Sequence, residues 1–164
     1  MTTSPAFREA VALILKHEGG YVNDPRDPGG ETNHGISKRA YPAENIAALT
    51  VERAKELYYR DYWLPVRGDD LPPALALVTF DMAVNAGTGI AIKLLQRALG
   101  VTDDGLLGPV TLAKAKATNG LEVAVRVSRR RILYYAALPG WQHYAASWTQ
   151  RTLETVAVAA QAFG

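Results

Sequence analysis

Cysteine is absent from the 164 residues, which excludes a disulfide scaffold, a thiol nucleophile and a Cys-ligated metal. The fold is therefore expected to be indifferent to redox compartment. Long apolar runs are missing as well. No stretch approaches the roughly 20 apolar residues that span a bilayer, so no stable membrane insertion is expected. The apolar run Ala10 to Leu15 lies between Glu9 and Lys16 with no basic segment before it, which is not the pattern of a signal peptide. Synthesis in the cytoplasm without a recognisable leader is the expectation, with any action outside it needing a separate route. Charge of one sign is scarce too: the formal net charge is +2. Nucleic-acid binding shows a denser basic stripe, and the nearest approach, Arg126, Arg129, Arg130 and Arg131, reads as a solvated helix face. A monomer with no nucleic-acid partner is expected.

What is present describes an ordinary folded chain, with 48% hydrophobic and 21% charged residues. The length suits a single domain over 1–164. Residues 1–70 form one lobe and residues 71–164 a helical lobe integral to the same fold, since no linker separates them. Helical punctuation starts at once: Ser4 as a cap, Pro5 at the first helical position, then Phe7, Val11 and Ile14 at i, i+4, i+7. Gly19 and Gly20 stop that helix. Thr50 caps a helix through "VERAKELYYRDYW", and "ALALVTFDMAVNAG" and "IAIKLLQRALG" follow as apolar helices. A turn "VTDDGLLGP" leads into a helix from Pro109, and two longer helices close the chain around the break at Pro139 and Gly140. The reading is an all-α bundle of about seven or eight helices. One irregular loop or small β-hairpin interrupts it near residues 21–36, and Ser37 opens a short helix before Pro42.

That excursion, "HEGGYVNDPRDPGGETNHGIS" from His17 to Ser37, is longer than most connections in small domains, and such loops usually carry function. Glu18 stands where the first helix ends, walled by that helix's apolar face. Desolvation there would favour the neutral carboxyl that a general acid needs. Asp27, between Arg26 and Pro28, has polar surroundings suited to an ionised partner. Two carboxyls divided in this way can share acid and base labour at a glycosidic bond. Thr32 offers a hydroxyl to hold a water, and Gly29 and Gly30 permit the turn that would fold Asp27 and Thr32 back towards Glu18. Each residue taken singly also has a structural reading: a helix-end carboxylate, a turn residue, a strand residue. The residues alone leave both open.

The same run resembles the signature of glycoside hydrolase family 108, roughly E-G-G-Y followed by D-x-G-G-x-T-x-x-G-I-[ST]. Glu18, Gly19, Gly20, Tyr21, Asp27, Gly29, Gly30, Thr32, Gly35, Ile36 and Ser37 match it. Glu18–x8–Asp27–x4–Thr32 also resembles the triad of small phage lysozymes, one residue shorter in its second gap. Further on, Asp81, Asn85, Leu95, Gln96, Asp104, Gly105, Gly108, Pro109 and Thr111 resemble the peptidoglycan-binding region that follows the catalytic motif in that family. Gly140–Trp141 suits its C-terminal helix. The resemblance implies a lysozyme-like fold and an N-acetylmuramidase, often a phage endolysin, with Glu18 on the family's catalytic glutamate. Peptidoglycan is the implied substrate, cut at the β-1,4 bond between N-acetylmuramic acid and N-acetylglucosamine after holin-dependent release or dedicated secretion. A lytic transglycosylase and a non-catalytic wall-binding or secretion-assisting protein are the alternatives.

No cofactor or metal is expected. The histidines follow no HExxH pattern, and "TDDGLLG" lacks the spacing of a calcium loop. For substrate binding, sugar rings stack on aromatics and offer hydroxyls to amides, which nominates Tyr21, Asn33, His34, Trp63 and Asn85. Trp63, with Tyr58, Tyr59 and Tyr62 around it, also fits a core. Asn85 shares a helix face with Asp81 at i, i+4. That pair either ties helices together or looks into a cleft.

Overall fold

The computed structural model describes residues 3–23 and 30–164. Among them are seven α-helices and one two-stranded antiparallel sheet. Helix α1 (Pro5–Glu18) begins where Ser4 Oγ accepts from the Phe7 N–H at 3.3 Å. It buries Phe7, Ala10, Val11, Leu13 and Ile14, and ends at Gly19, whose φ of +70° a side chain would strain.

Strands β1 (Thr32–Asn33) and β2 (Ile36–Ser37) pair Thr32 with Ser37 and Asn33 with Ile36. The turn between them, His34 at φ +51° and Gly35 at φ +78°, has the two positive φ values of the tight hairpin whose twist matches its strands. On its other side Thr32 exchanges two backbone hydrogen bonds of 2.8 Å with Val22, so the hairpin returns to the chain just past α1. The short helix expected from Ser37 does not form. Ser37 lies in β2, and its Oγ accepts from the Ala40 N–H at 3.3 Å, closing a local turn in place of a helix.

Helix α2 (Val51–Tyr58) is capped by Thr50, whose Oγ1 accepts from the Arg53 N–H at 3.1 Å. The helix expected to run on to Trp63 widens into a π turn over Tyr59–Trp63, with the Leu64 N–H bonding the Tyr59 carbonyl at 2.9 Å. Packing supplies the reason. Tyr58 and Trp63 are both buried, yet in a regular α-helix side chains five apart diverge by about 140°. The wider turn aims both inward.

Helix α3 (Pro73–Ala86) is buried continuously from Ala74 to Ala83, the signature of a helix surrounded by others. Around it pack α1, α4 (Thr88–Leu99), α6 (Gly120–Ala136) and α7 (Trp141–Phe163), while α5 (Pro109–Lys116) packs on α4. The apolar cluster at the centre draws on every one of the seven helices. Its aromatic heart is Phe7, Trp63 and Phe80, crossing edge-to-face at 64–78° with centroids 5.3–5.9 Å apart. Gly68 lies flat against the indole: a Cβ there would come within 2.3 Å of the Trp63 ring. The fold is thus the mostly helical, lysozyme-like bundle read from the sequence. No helix among the described residues is long and apolar enough to cross a membrane.

Candidate active site

Glu18 occupies the last position of α1, so its side chain projects where the helix backbone turns away. Its side chain is 25% exposed, reachable from solvent but held. One wall is the hairpin. Gly35 sits so near that a Cβ on it would fall 2.7 Å from Glu18 Cγ and 2.3 Å from the Tyr58 hydroxyl. Tyr58 donates to the His34 carbonyl at 2.9 Å, fastening the turn over α2. Burial, with the Glu18 charge nearby, holds the Tyr58 phenol well above its ordinary pKa, so it remains a donor.

The second wall is not the purely apolar face anticipated from α1. Arg151, from the middle of α7, donates from Nη1 to Glu18 Oε1 at 2.8 Å. Its Nη2 and Nε reach Asp81 Oδ1 at 3.0 and 3.1 Å. Asp81, fully buried in α3, also accepts from Arg131 of α6 and from Thr155 Oγ1 of α7 at 3.3 Å. Two carboxylates and two guanidiniums therefore alternate in a chain, Glu18–Arg151–Asp81–Arg131, with no net formal charge. Such balance is what buried ions require, since an unpaired one costs several kcal/mol. Burial pushes the Asp81 pKa up, but the fields of Arg131 and Arg151 and their hydrogen bonds outweigh it and hold the carboxyl below its ordinary value. Burial likewise opposes the charge on Arg151, and Asp81 and Glu18 more than restore it.

Beyond Arg131 the chain of contacts returns to the surface. Arg131 Nε donates to the Tyr135 hydroxyl at 3.0 Å, and that hydroxyl donates to Asn85 Oδ1 at 2.5 Å. Asn85 is exposed. On the helix flank, His17 Nε2 lies 3.6 Å from Glu154 Oε2.

The sequence-nominated residues divide accordingly. Asp27 lies outside the described residues. Thr32 is half-buried in β1, on the hairpin whose turn abuts Glu18, and His34 forms that turn. Tyr21 is 48% exposed and donates to Glu31 Oε2 at 3.2 Å. Asn85 joins the network through Tyr135. Two nominations are corrected. Trp63 is completely buried between Phe7, Phe80 and Gly68, so no sugar can reach it. Asn33 is buried, with its amide spent on the Ile46 and Leu49 carbonyls at 3.1 and 3.5 Å, tying β1 to the segment before α2.

Arg131, grouped by sequence with a solvated face, is buried instead. Arg151 stands in no local pattern that marks it in the sequence. A signal existed: a buried Asp81 on an apolar helix must find a cation. Sequence spacing does not say that its partners stand 50 and 70 positions away.

Comparison with known proteins adds three findings. A family model described as Glycosyl hydrolase 108 matches residues 11–87. The fold is similar to the structure of Brucella abortus SagA at 33% identity and a TM-score of 0.84, covering 96% of this chain and 94% of that one. Curated protein sequences yield no match.

Proposed function

Because this chain belongs to the glycosyl hydrolase 108 family and is a glycoside hydrolase acting on peptidoglycan, we propose that it is an N-acetylmuramidase. In this reading it cuts the β-1,4 bond between N-acetylmuramic acid and N-acetylglucosamine with Glu18 as general acid. The observation that supports the assignment is the mounting of Glu18. It is the one carboxylate of the four-membered chain that meets solvent, fixed by Arg151 on one side and the Gly35 turn on the other. A proton donor must be held still at hydrogen-bond reach of its target, and both walls restrict this one.

For the reaction Glu18 takes up a proton on Oε2, its Oε1 still accepting from Arg151, and gives that proton to the glycosidic oxygen as the bond to the anomeric carbon breaks. A water adds to that carbon and loses its proton to Asp27, with Thr32 orienting the water. Asp27 and Thr32 enter by their match to the family pattern, and Thr32 also by its place on the hairpin beside Glu18. In an inverting enzyme the two carboxyls stand about 6.5–9.5 Å apart. Tyr21, His34 and Asn85 remain the sugar-contacting candidates. The chain works as a single monomeric domain, its residue 71–164 lobe supplying Arg151 to the residue 1–70 lobe. It meets the wall after release through a membrane pore, as an endolysin does, or by dedicated secretion.

Glu18→Gln keeps the size of the side chain and an acceptor for Arg151, so the variant should fold normally. It should release muropeptides about 100-fold or more slowly, the range general acid catalysis contributes. Mass spectrometry of the digest identifies the reaction: hydrolysis adds one water per cut, whereas a transglycosylase leaves anhydro ends. Normal wall clearance by Glu18→Gln would end the assignment.

A further inference from the structure

On α7 the residues Trp141, Tyr144, Trp148, Arg151 and Thr155 recur at alternating spacings of three and four, which places them along one side of the helix. The inner half of this stripe belongs to the site already described: Thr155 holds Asp81, and Arg151 holds Glu18. The outer half is aromatic, and it is most open at Tyr144. Thr155 is buried, Trp148 and Trp141 are half-buried, and Tyr144 is 55% exposed.

The rings are arranged unlike those of the core. Phe7, Trp63 and Phe80 meet edge-to-face at 64–78°, which interlocks them. Tyr144 and Trp148 are stacked, 5.4 Å apart at 29°. Tyr135 and Trp141 tilt only 36° and 39° from Trp148. Tyr135, only 2% exposed, backs Trp148 from within, and Tyr144 carries the group out to the surface. Gly140 allows this closeness: a Cβ there would meet the Tyr144 and Trp148 rings at 3.1 and 3.2 Å. The Tyr135 hydroxyl joins the surface to the exposed amide of Asn85, and Tyr135 Oη also receives Arg131 from the charge network. From Arg151 the stripe rises about 10 Å to Tyr144, the span of a disaccharide.

We propose that Tyr144 and Trp148, backed by the buried Tyr135 and with Asn85 at their edge, form a stacking platform for the glycan strand on one side of the bond that Glu18 cuts. The direction of the strand rests on the Glu18 reading; the platform itself does not. The chemistry selects the glycan over the stem peptide. The outer stripe carries no charge, and its one ion, Arg151, is committed to Glu18 and Asp81. A peptide bearing carboxylates would gain no partner from the stripe. A neutral pyranose offers a flat C–H face to the Tyr144 ring and hydroxyls to Asn85 and the Tyr144 phenol.

Peptide-free glycan strands, prepared by amidase treatment of peptidoglycan, are titrated against the protein in a Trp141→Phe background. Trp63 is sealed in the core, so the change in tryptophan emission reports on Trp148. A saturable shift is expected, and Glu18→Gln should show it equally. Tyr144→Ala should weaken binding roughly 3- to 10-fold. On long strands it should raise KM by a similar factor while kcat changes less than about twofold. No emission change with stripped strands, a shift produced by isolated stem peptides instead, or unchanged binding in Tyr144→Ala overturns the platform. These outcomes separate from the first assignment: an active Glu18→Gln sinks the general acid and leaves the platform standing. If Tyr144→Ala fails to fold, the titration of the Trp141→Phe protein and its preference between strand and peptide decide alone.

Discussion

Gly35 shows how little space the site leaves. Its φ of +78° is costly for any other residue, and a methyl there would collide with both Glu18 Cγ and the Tyr58 hydroxyl. The left-handed conformation alone costs roughly 1–2 kcal/mol for a residue with a Cβ, and displacing either neighbour adds to it. Gly35→Ala should therefore lower stability by at least about 1 kcal/mol and cut turnover well beyond what that loss explains. Denaturant titration beside muropeptide release distinguishes the two effects. The glycine's match to the family pattern thus gains a physical cause: it lets the hairpin turn close on Glu18. Glu18 itself was legible as a helix-end carboxyl. The Arg151 guanidinium against it was not, because nothing within α7 distinguishes that arginine from Arg126 or Arg129 of α6, both exposed.

At the scale of elements, the stretch after α4 is organised by one buried side chain. Gln96 donates from Nε2 to Asp104 Oδ1 at 2.7 Å, to the Leu106 carbonyl at 3.0 Å and to Thr111 Oγ1 at 3.3 Å. Its Oε1 accepts from the Gly105 N–H at 2.9 Å. Asp104 also accepts from the Leu106 N–H at 2.9 Å, and Gly105 turns at φ +80°. The Gln and D-G-x-x-G-P-x-T pattern read from the sequence is thus a turn clamp that launches α5. Gln96→Ala strips the clamp; of its partners only Thr111 is buried, so the cost is about 1 kcal/mol, most of it in the lost hydrogen bonds. The substitution should open the turn at 101–108 to proteolysis before the rest of the chain unfolds, while spent muropeptide release per folded molecule stays near normal. The caps at Ser4 and Thr50 were legible because each is a local contact between a side chain and a backbone three residues on. The π turn was not, since it answers to Trp63 seating against Gly68.

For the molecule as a whole, Asp81 is the point where α3, α6 and α7 are tied together and, through Arg151, to the end of α1. Removing its charge leaves Arg131 and Arg151 facing each other without a common anion. Asp81→Asn should cost about 3–5 kcal/mol, read as a fall in the denaturation midpoint, with loss of activity as Arg151 loses its anchor. The pH dependence has a definite sign. The folded carboxyl is held below its ordinary value of 3.8, so the folded state binds fewer protons there than the unfolded chain. The stabilisation is complete above that value and drains away as pH falls from about 4 through the lower folded value. Acid unfolding of the native chain should steepen in that window, and Asp81→Asn, weaker throughout, should lack the extra slope.

By itself the sequence determined the helical class, most helix starts, the interrupting hairpin and the candidacy of Glu18. All of these follow from short-range contacts or from the spacing of apolar residues. Only the tertiary structure decided what surrounds Glu18, that Trp63 and Asn33 serve the core, and that Arg131 is buried. Those outcomes depend on which distant helix supplies a counter-charge or a packing partner. Local spacing carries no record of that choice; it is made when α3 is enclosed and Asp81 must be neutralised.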